Sequence, residues 1–238
     1  INPIVKFRTY ISSSTSYGIL EANRKMRDFS GWFHIVATID TTNATAGDRL
    51  RVYVNGERIT SWSSETYPSQ NYSYAPMVSG NFELGKYSST EGATYLAHVH
   101  YCDGYAYEPT VFGSTDATTG EWKINTNPSV SYGTNGVFLK FANSASMVTD
   151  SSGNNNTMSI SGSCLQTQDN PSNNFATWNP LAQPNGTLSN GNTSNTGAED
   201  TPATIGVTTG KYYWEYKRTN TTNSLHFGIC STKQGFNK

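Results

Sequence analysis

Charge, cysteine and helix-forming runs are all scarce in this chain. Only 14% of its 238 residues are charged and the formal net charge is −1, so it lacks the basic stripe that grips nucleic acid or an anionic membrane. Its three cysteines, Cys102, Cys164 and Cys230, are odd in number and far apart. They build no disulfide framework and point to folding in a reducing compartment. No apolar run approaches the ~20 residues of a membrane helix; "FHIVATI" (33–39) is strand-sized. Runs of Ala, Leu, Glu, Lys and Arg that would favour helix are few. Also missing are G-x-S-x-G, C-x-x-C, H-E-x-x-H and a phosphate-cradling glycine loop. None of the 17 acidic residues has another at i+2. That removes the simplest way for one strand to carry two carboxylates about 5–5.5 Å apart, as a retaining glycosidase needs. The reading is non-enzymatic.

What the chain has instead is 13% aromatic residues, including 15 Tyr, together with 21 Gly and abundant Asn, Ser and Thr. Aromatic and β-branched residues favour strands, and Gly and Asn favour turns. Period-two alternation places strands at 4–10, 17–22, 32–39, 49–54, 57–61, 82–87, 94–102, 137–142, 157–160, 211–217 and 225–230. The fold expected is all-β, an antiparallel sandwich of many short strands joined by long loops at 63–81, 113–136 and 166–174.

The sharpest local signal is "RLRVYVNGERIT" (49–60). Leu50, Val52 and Val54 share one face and Arg49, Arg51 and Tyr53 the other, while Asn55-Gly56 supplies the two positive-φ positions of a type I′ turn. That turn sets Val52 opposite Ile59 and Tyr53 opposite Arg58. In 32–39, Phe33, Ile35, Ala37 and Ile39 form an apolar face, and Trp32, His34 and Val36 a mixed one turning polar at Thr38. In "KYYWEY", Tyr212, Trp214 and Tyr216 read as a buried face.

Two groups of side chains invite a functional reading. "HVHYCD" (98–103) puts His98, His100 and Cys102 on one strand face, a ligand set zinc would accept. Residues two apart on a strand are roughly 7 Å apart, however, and Ala97, Val99 and Tyr101 form the core-facing stripe, so a polar solvated face is the preferred reading. The loop tyrosines Tyr67, Tyr72 and Tyr74 and the pair Tyr105 and Tyr107 are candidates to cover the apolar face of a sugar. Glu65, Asn71 and Asn81 lie nearby for its hydroxyls. The competing reading packs these rings onto the protein's own sheet or another subunit.

"FSGWFHIVATIDTTNATAGDRLRVYVNGERI" (29–59) and "FELGKYSSTEGATYLAHVHYCDGYAYEPTVFG" (82–113) resemble the laminin-G-like, concanavalin A-like jelly roll. With "DGYAYEPTVFGSTDATTGEW" and "YGTNGVFLKFANSA", the variant is similar to domains of tailed-bacteriophage virion proteins. "NNFATWNPL", "TLSNGNT" and "TPATIGVTTGKYYWEYKRTNTTNSLHFGICS" (201–231) resemble the opening half of a SPRY-type sandwich. The resemblance implies a jelly roll over 1–146 whose first strands lie upstream, a linker with an extra strand over 147–172, and a partial SPRY-like sandwich over 173–238. The chain opens without Met, and a longer polypeptide is expected on both sides.

The resemblance further implies a virion structural or appendage protein: a tail fibre, a spike or a capsid-surface component assembled in the host cytoplasm. Its partners would be other virion subunits, a homo-oligomer (trimers are common in fibres) and host surface glycans, with no nucleic acid and no membrane insertion. The rival is a secreted lectin or carbohydrate-binding module of an extracellular enzyme. No cofactor is implied except Ca²⁺, which laminin-G-like domains often hold beside an Asp and backbone carbonyls. Asp103 and Asp150 are the candidate ligands. No D-x-D-x-D spacing supports them, and an ordinary Asx-turn competes.

Overall fold

The computed structural model describes residues 4–10, 16–26, 31–73, 84–87, 90–91, 94–162, 164–180, 186–196, 201–219 and 228–229. Among these, β1 (Ile4–Tyr10) and β2 (Ser16–Lys25) are followed by β3 (Ile35–Ile39), a single helical turn α1 (Ala46–Arg49), β4 (Leu50–Val54), β5 (Glu57–Arg58) and β6 (Trp62–Thr66). Next come β7 (Lys86–Tyr87), β8 (Thr90–Glu91), β9 (Val99–Tyr101), a 3₁₀ turn (Pro109–Val111), β10 (Gly113–Thr115), β11 (Trp122–Ile124) and β12 (Val137–Leu139). A small hairpin of β13 (Leu188–Ser189) and β14 (Ser194–Asn195) completes the set. Every strand pair is antiparallel. The protein is all-β, as its composition requires.

Two three-stranded sheets, β1-β2-β6 and β3-β4-β5, face each other across the main core. Leu20 and Ala22 of β2 meet Leu50, Val52 and Val54 of β4, with Ile59 beside them. At about 1.5–3 kcal/mol per fully buried aliphatic side chain, this face dominates the stability of the amino-terminal half. Gly18 sits where β2 packs closely against Leu50 of the facing sheet and Thr9 of β1. A Cβ there would overlap Leu50 Cδ1 and lie 2.7 Å from Thr9 Oγ1. The outer face of β1-β2 is ionic: Lys6 and Arg8 both reach Glu21 Oε1, at 2.8 and 2.7 Å.

The β4–β5 hairpin has the register its sequence dictates. Tyr53 pairs with Arg58, the Ile59 amide donates to the Val52 carbonyl, and Asn55 and Gly56 have φ of 50° and 79°. Its other face is covered as well. Arg51 forms an ion pair with Glu108, and the Tyr53 hydroxyl donates to Glu108 Oε2 at 2.8 Å. Trp122 of β11 lies across the turn so closely that a Cβ on Gly56 would overlap its ring. The hairpin is therefore the middle layer of the fold, with β1-β2-β6 on one side and the 108–124 segment on the other.

Several sequence expectations are corrected here. Of the expected apolar face, Phe33 packs against the main core, but along β3 the face is open: Ile35 is 51% and Ile39 40% exposed, and Ala37 is exposed between them. These residues share a sheet face with Leu50, Val52 and Val54, but the cover that reaches β4 does not reach β3. The mixed face, with His34 half-buried and Thr38 buried, is the packed one. The strand expected at 94–102 shortens to β9, because His98 has φ of 49° and cannot extend the ladder. Residues 157–160 and 211–217 form no strand, and Trp214 is 48% exposed where a core position was expected. No other strand pairs with 211–217 among the described residues. Conversely, β6, β10 and β11 lie in stretches that read as loop. Of the strand expected at 225–230, residues 228–229 are described and without regular structure, and the rest lies outside the described residues.

Candidate functional site

The 105–112 segment turns a corner and projects aromatic rings on either side of it. Tyr107 is fixed from two directions. Its ring meets Phe112 edge-on at 6.2 Å, and its hydroxyl accepts the Ser131 amide at 2.9 Å. Tyr105 stacks on Tyr107 at 5.4 Å with the planes 8° apart, and is 49% exposed. The result is an outward aromatic ledge backed by an anchored ring. A flat apolar ring held rigid is what a sugar C–H face needs, because little side-chain entropy remains to be lost on contact.

The other tyrosines behave differently. Tyr67 packs against the main core and its hydroxyl donates to Glu65 Oε2 at 2.8 Å. Burial first, and then that carboxylate, push the phenol up to about 12, so it remains a neutral donor. Tyr67, Glu65, Trp62 and Arg58 line a shallow depression of about 180 Å³. Arg58 is already committed there to Asp48 Oδ1 at 2.6 Å and the Gly47 carbonyl at 2.8 Å. Tyr72 is half-buried in the same loop. Tyr74 and Asn81 lie outside the described residues. Tyr67 thus follows the packing alternative, and Tyr105 follows the exposed one.

Of the two calcium candidates, Asp150 does not fit a hard cation. Asp150 Oδ1 accepts the amides of Phe138 and Ser152, at 2.9 and 2.8 Å, and Oδ2 accepts the Ser152 hydroxyl and the Asn156 amide. Burial raises this carboxyl, but those four donors outweigh it and hold it below the ordinary value. A carboxylate ringed by N–H and O–H donors presents the wrong polarity to Ca²⁺. Asp103 Oδ2 accepts from the Asn135 amide and side chain, the latter at 2.8 Å. The Asp150 loop also ties down the 133–136 turn, since Asn154 and Asn156 both donate to the Gly136 carbonyl at 3.0 Å. Asp150 heads an Asx-turn clasp.

The face bearing His98 and His100 is not the solvated one expected. His100 stacks on Phe138 at 4.0 Å, lies 5.2 Å from Phe112 and shares a 2.9 Å hydrogen bond between Nδ1 and the Tyr132 hydroxyl. His34 enters the same neighbourhood from the other sheet: its Nδ1 accepts the Trp122 indole N–H at 3.0 Å, and its ring is 6.5 Å from Phe112. Burial lowers both imidazoles, His100 to about 4. Cys102 is half-buried, and burial lifts its thiol to about 11, so at neutral pH it is a protonated thiol and not a thiolate nucleophile. Among the described residues no three His, Cys, Asp or Glu side chains come together as a metal site. The alternation in "HVHYCD" could show which residues share a face. It could not show that Phe112, Tyr132 and Phe138 would cover that face from three other segments.

No protein-family model, curated protein or solved structure matches the chain. What fold and site define together is an all-β module with a rigid aromatic ledge, whose described carboxylates are largely engaged in structural bonds.

Proposed function

We propose that this chain is a non-enzymatic virion structural or appendage component of a tailed bacteriophage, such as a tail fibre, spike or capsid-surface protein. In this reading its sandwich holds Tyr105 out toward host surface glycans. The observation that carries the binding role is the exposed Tyr105 ring stacked on the immobilised Tyr107. Support for the virion setting comes from the laminin-G-like and SPRY-like sequence resemblances. The acidic side chains favour a non-catalytic role: Glu21, Glu108, Asp48 and Asp150 are each taken up by bonds that hold the fold. Loops on a stiff sheet stack suit display.

Two measurements test the reading. Mass spectrometry of purified particles should find the chain at fixed stoichiometry, and a glycan array should give binding that Tyr105→Ala abolishes while the fold is retained. Absence from particles combined with Tyr105-dependent glycan binding would transfer the chain to the rival class, a secreted lectin or carbohydrate-binding module. Release of reducing ends from capsular polysaccharide would overturn the non-enzymatic assignment.

A further inference from the structure

Among the described residues β5 and β6 each end their sheet, and the depression between them is built from both sheets. Leu50 and Ile59 form its buried floor, and Arg58 and Thr60 stand across it from Trp62, Glu65 and Tyr67. A bulge arranges the last three. β6 pairs Trp62 with Ala22 and Glu65 with Leu20, with a register shift between them. In a regular strand, residues three apart face opposite ways. Here Trp62 and Glu65 both fall opposite core-facing residues of β2, and Tyr67 packs on the same side. Bulges that re-aim a side chain gather beside functional sites. Folding has little use for a carboxylate in this position: Glu65 is exposed and uses only Oε2, which accepts the Tyr67 hydroxyl.

We propose that this depression binds a single neutral pyranose ring. Its volume of about 180 Å³ is below the roughly 300–1,000 Å³ of pockets that enclose larger ligands, and suits one sugar ring. Trp62 and Tyr67 supply aromatic surface for the C–H face. The rim supplies both senses of hydrogen bond. Glu65 Oε1 accepts, the Thr60 hydroxyl does either, and Arg58 donates through Nε and Nη1, since Asp48 and the Gly47 carbonyl engage Nη2 alone. Sugar hydroxyls both donate and accept, so a mixed rim fits a polyol. Asp48 offsets the charge of Arg58 and leaves Glu65 as the uncompensated one, so a sugar carboxylate is repelled. The walls are held in advance: the Asn23 amide donates to the Ser61 carbonyl at 3.1 Å, and Tyr67 Oη would lie 3.9 Å from a Cβ on Gly47. Little ordering remains to be done on binding. The site is distinct from the Tyr105 ledge, whose segment covers the outward side of β4 through Arg51 and Tyr53. It does not depend on the particle to which the chain belongs.

The test is an NMR titration of the indole N–H signals of the full, isotope-labelled chain, which has five Trp. Loss of one signal in Trp62→Phe assigns Trp62. The probes are the methyl pyranosides of glucose, galactose, mannose and N-acetylglucosamine, with methyl glucuronide as the charged counterpart. At least one neutral pyranoside should move the Trp62 signal saturably, with a Kd of about 1–10 mM as befits a single ring. The glucuronide should bind about tenfold more weakly, or worse. Thr60→Tyr, which fills the depression from an exposed position, should abolish the shift, and Glu65→Ala should weaken binding about tenfold. If Trp62→Phe fails to fold by circular dichroism, sequential assignment identifies the signal, and the Thr60 and Glu65 variants carry the test. A Trp62 signal unmoved by every neutral pyranoside, a shift that persists unchanged in both folded variants, or glucuronide bound as tightly would each overturn the proposal. Contact at the Tyr105 ledge leaves Trp62 unmoved, so the two sites succeed or fail by separate readouts.

Discussion

Acid should loosen this fold through His100, and the size of the effect follows from its surroundings. The imidazole lies on Phe138, beside Phe112 and Tyr132. Burial first, then the positive charges of His98, His34 and Lys140, lower it from 6.5 to about 4. A histidine depressed in the folded state contributes no penalty while both states are neutral. Its stability contribution is intact above pH ~6.5 and is lost progressively as pH falls toward 4, because the unfolded chain takes up the proton first. A shift of this size corresponds to about 3 kcal/mol. The ring keeps partial solvent contact, and screening reduces the expected loss to about 1–2 kcal/mol. Urea denaturation at pH 7.5 and 4.5, compared between wild type and His100→Phe, isolates this from the carboxylates that also titrate there. Wild type should lose about 1–2 kcal/mol more than the variant over that interval. Identical pH dependence of the two proteins, or an NMR titration of His100 near 6.5, would refute the argument. His34 acts in the same direction: protonation at Nδ1 would set a donor against the Trp122 indole N–H, now at 3.0 Å.

Three further outcomes are expected. Tyr105→Ala should leave the melting temperature within a degree or two, whereas Tyr107→Ala, which loses its contacts to Phe112 and Ser131, should cost about 2 kcal/mol in chemical denaturation. Asp150→Ala strands the donors of Phe138, Ser152 and Asn156 and should cost about 2–3 kcal/mol. Millimolar Ca²⁺ should not raise the wild-type melting temperature, as it would if Asp150 were a ligand, since binding to the native state stabilises by mass action. Gly18→Ala forces a methyl against Leu50 and Thr9 and should cost about 1–3 kcal/mol, read by differential scanning fluorimetry.

How much of this was legible in the sequence depended on whether the deciding interaction was local. The β4–β5 hairpin was fully legible, because Asn55-Gly56 fixes its turn and the flanking alternation fixes its register. So were β1 and the first part of β2. The composition of β3 was legible but its burial was not, since the alternation identifies two faces without saying which one another sheet will cover. β6 is "WSSET", a polar stretch that becomes a strand through backbone pairing with β2 and so carries little side-chain signal. The 211–217 segment shows the converse: its strong alternation carries no paired strand among the described residues. In the candidate site, Tyr105 and Tyr107 were named from type and position. Their unequal roles depended on Phe112 and Ser131, which only the fold brings there.

The position of the hairpin between two layers also dictates an order of assembly. Its own turn closes over a few residues and can form early. The bonds that cover its outer face, from Glu108 to Arg51 and from Trp122 to His34, span 57 and 88 residues. Closing loops of that length costs about 4 kcal/mol in chain entropy before any contact offsets it. That cost favours a hairpin formed first, as a template on which the 108–124 segment then settles. A chain emerging from the ribosome would hold that template half-covered until Trp122 arrives, and closure of these non-local contacts is expected to be slower than that of the hairpin itself.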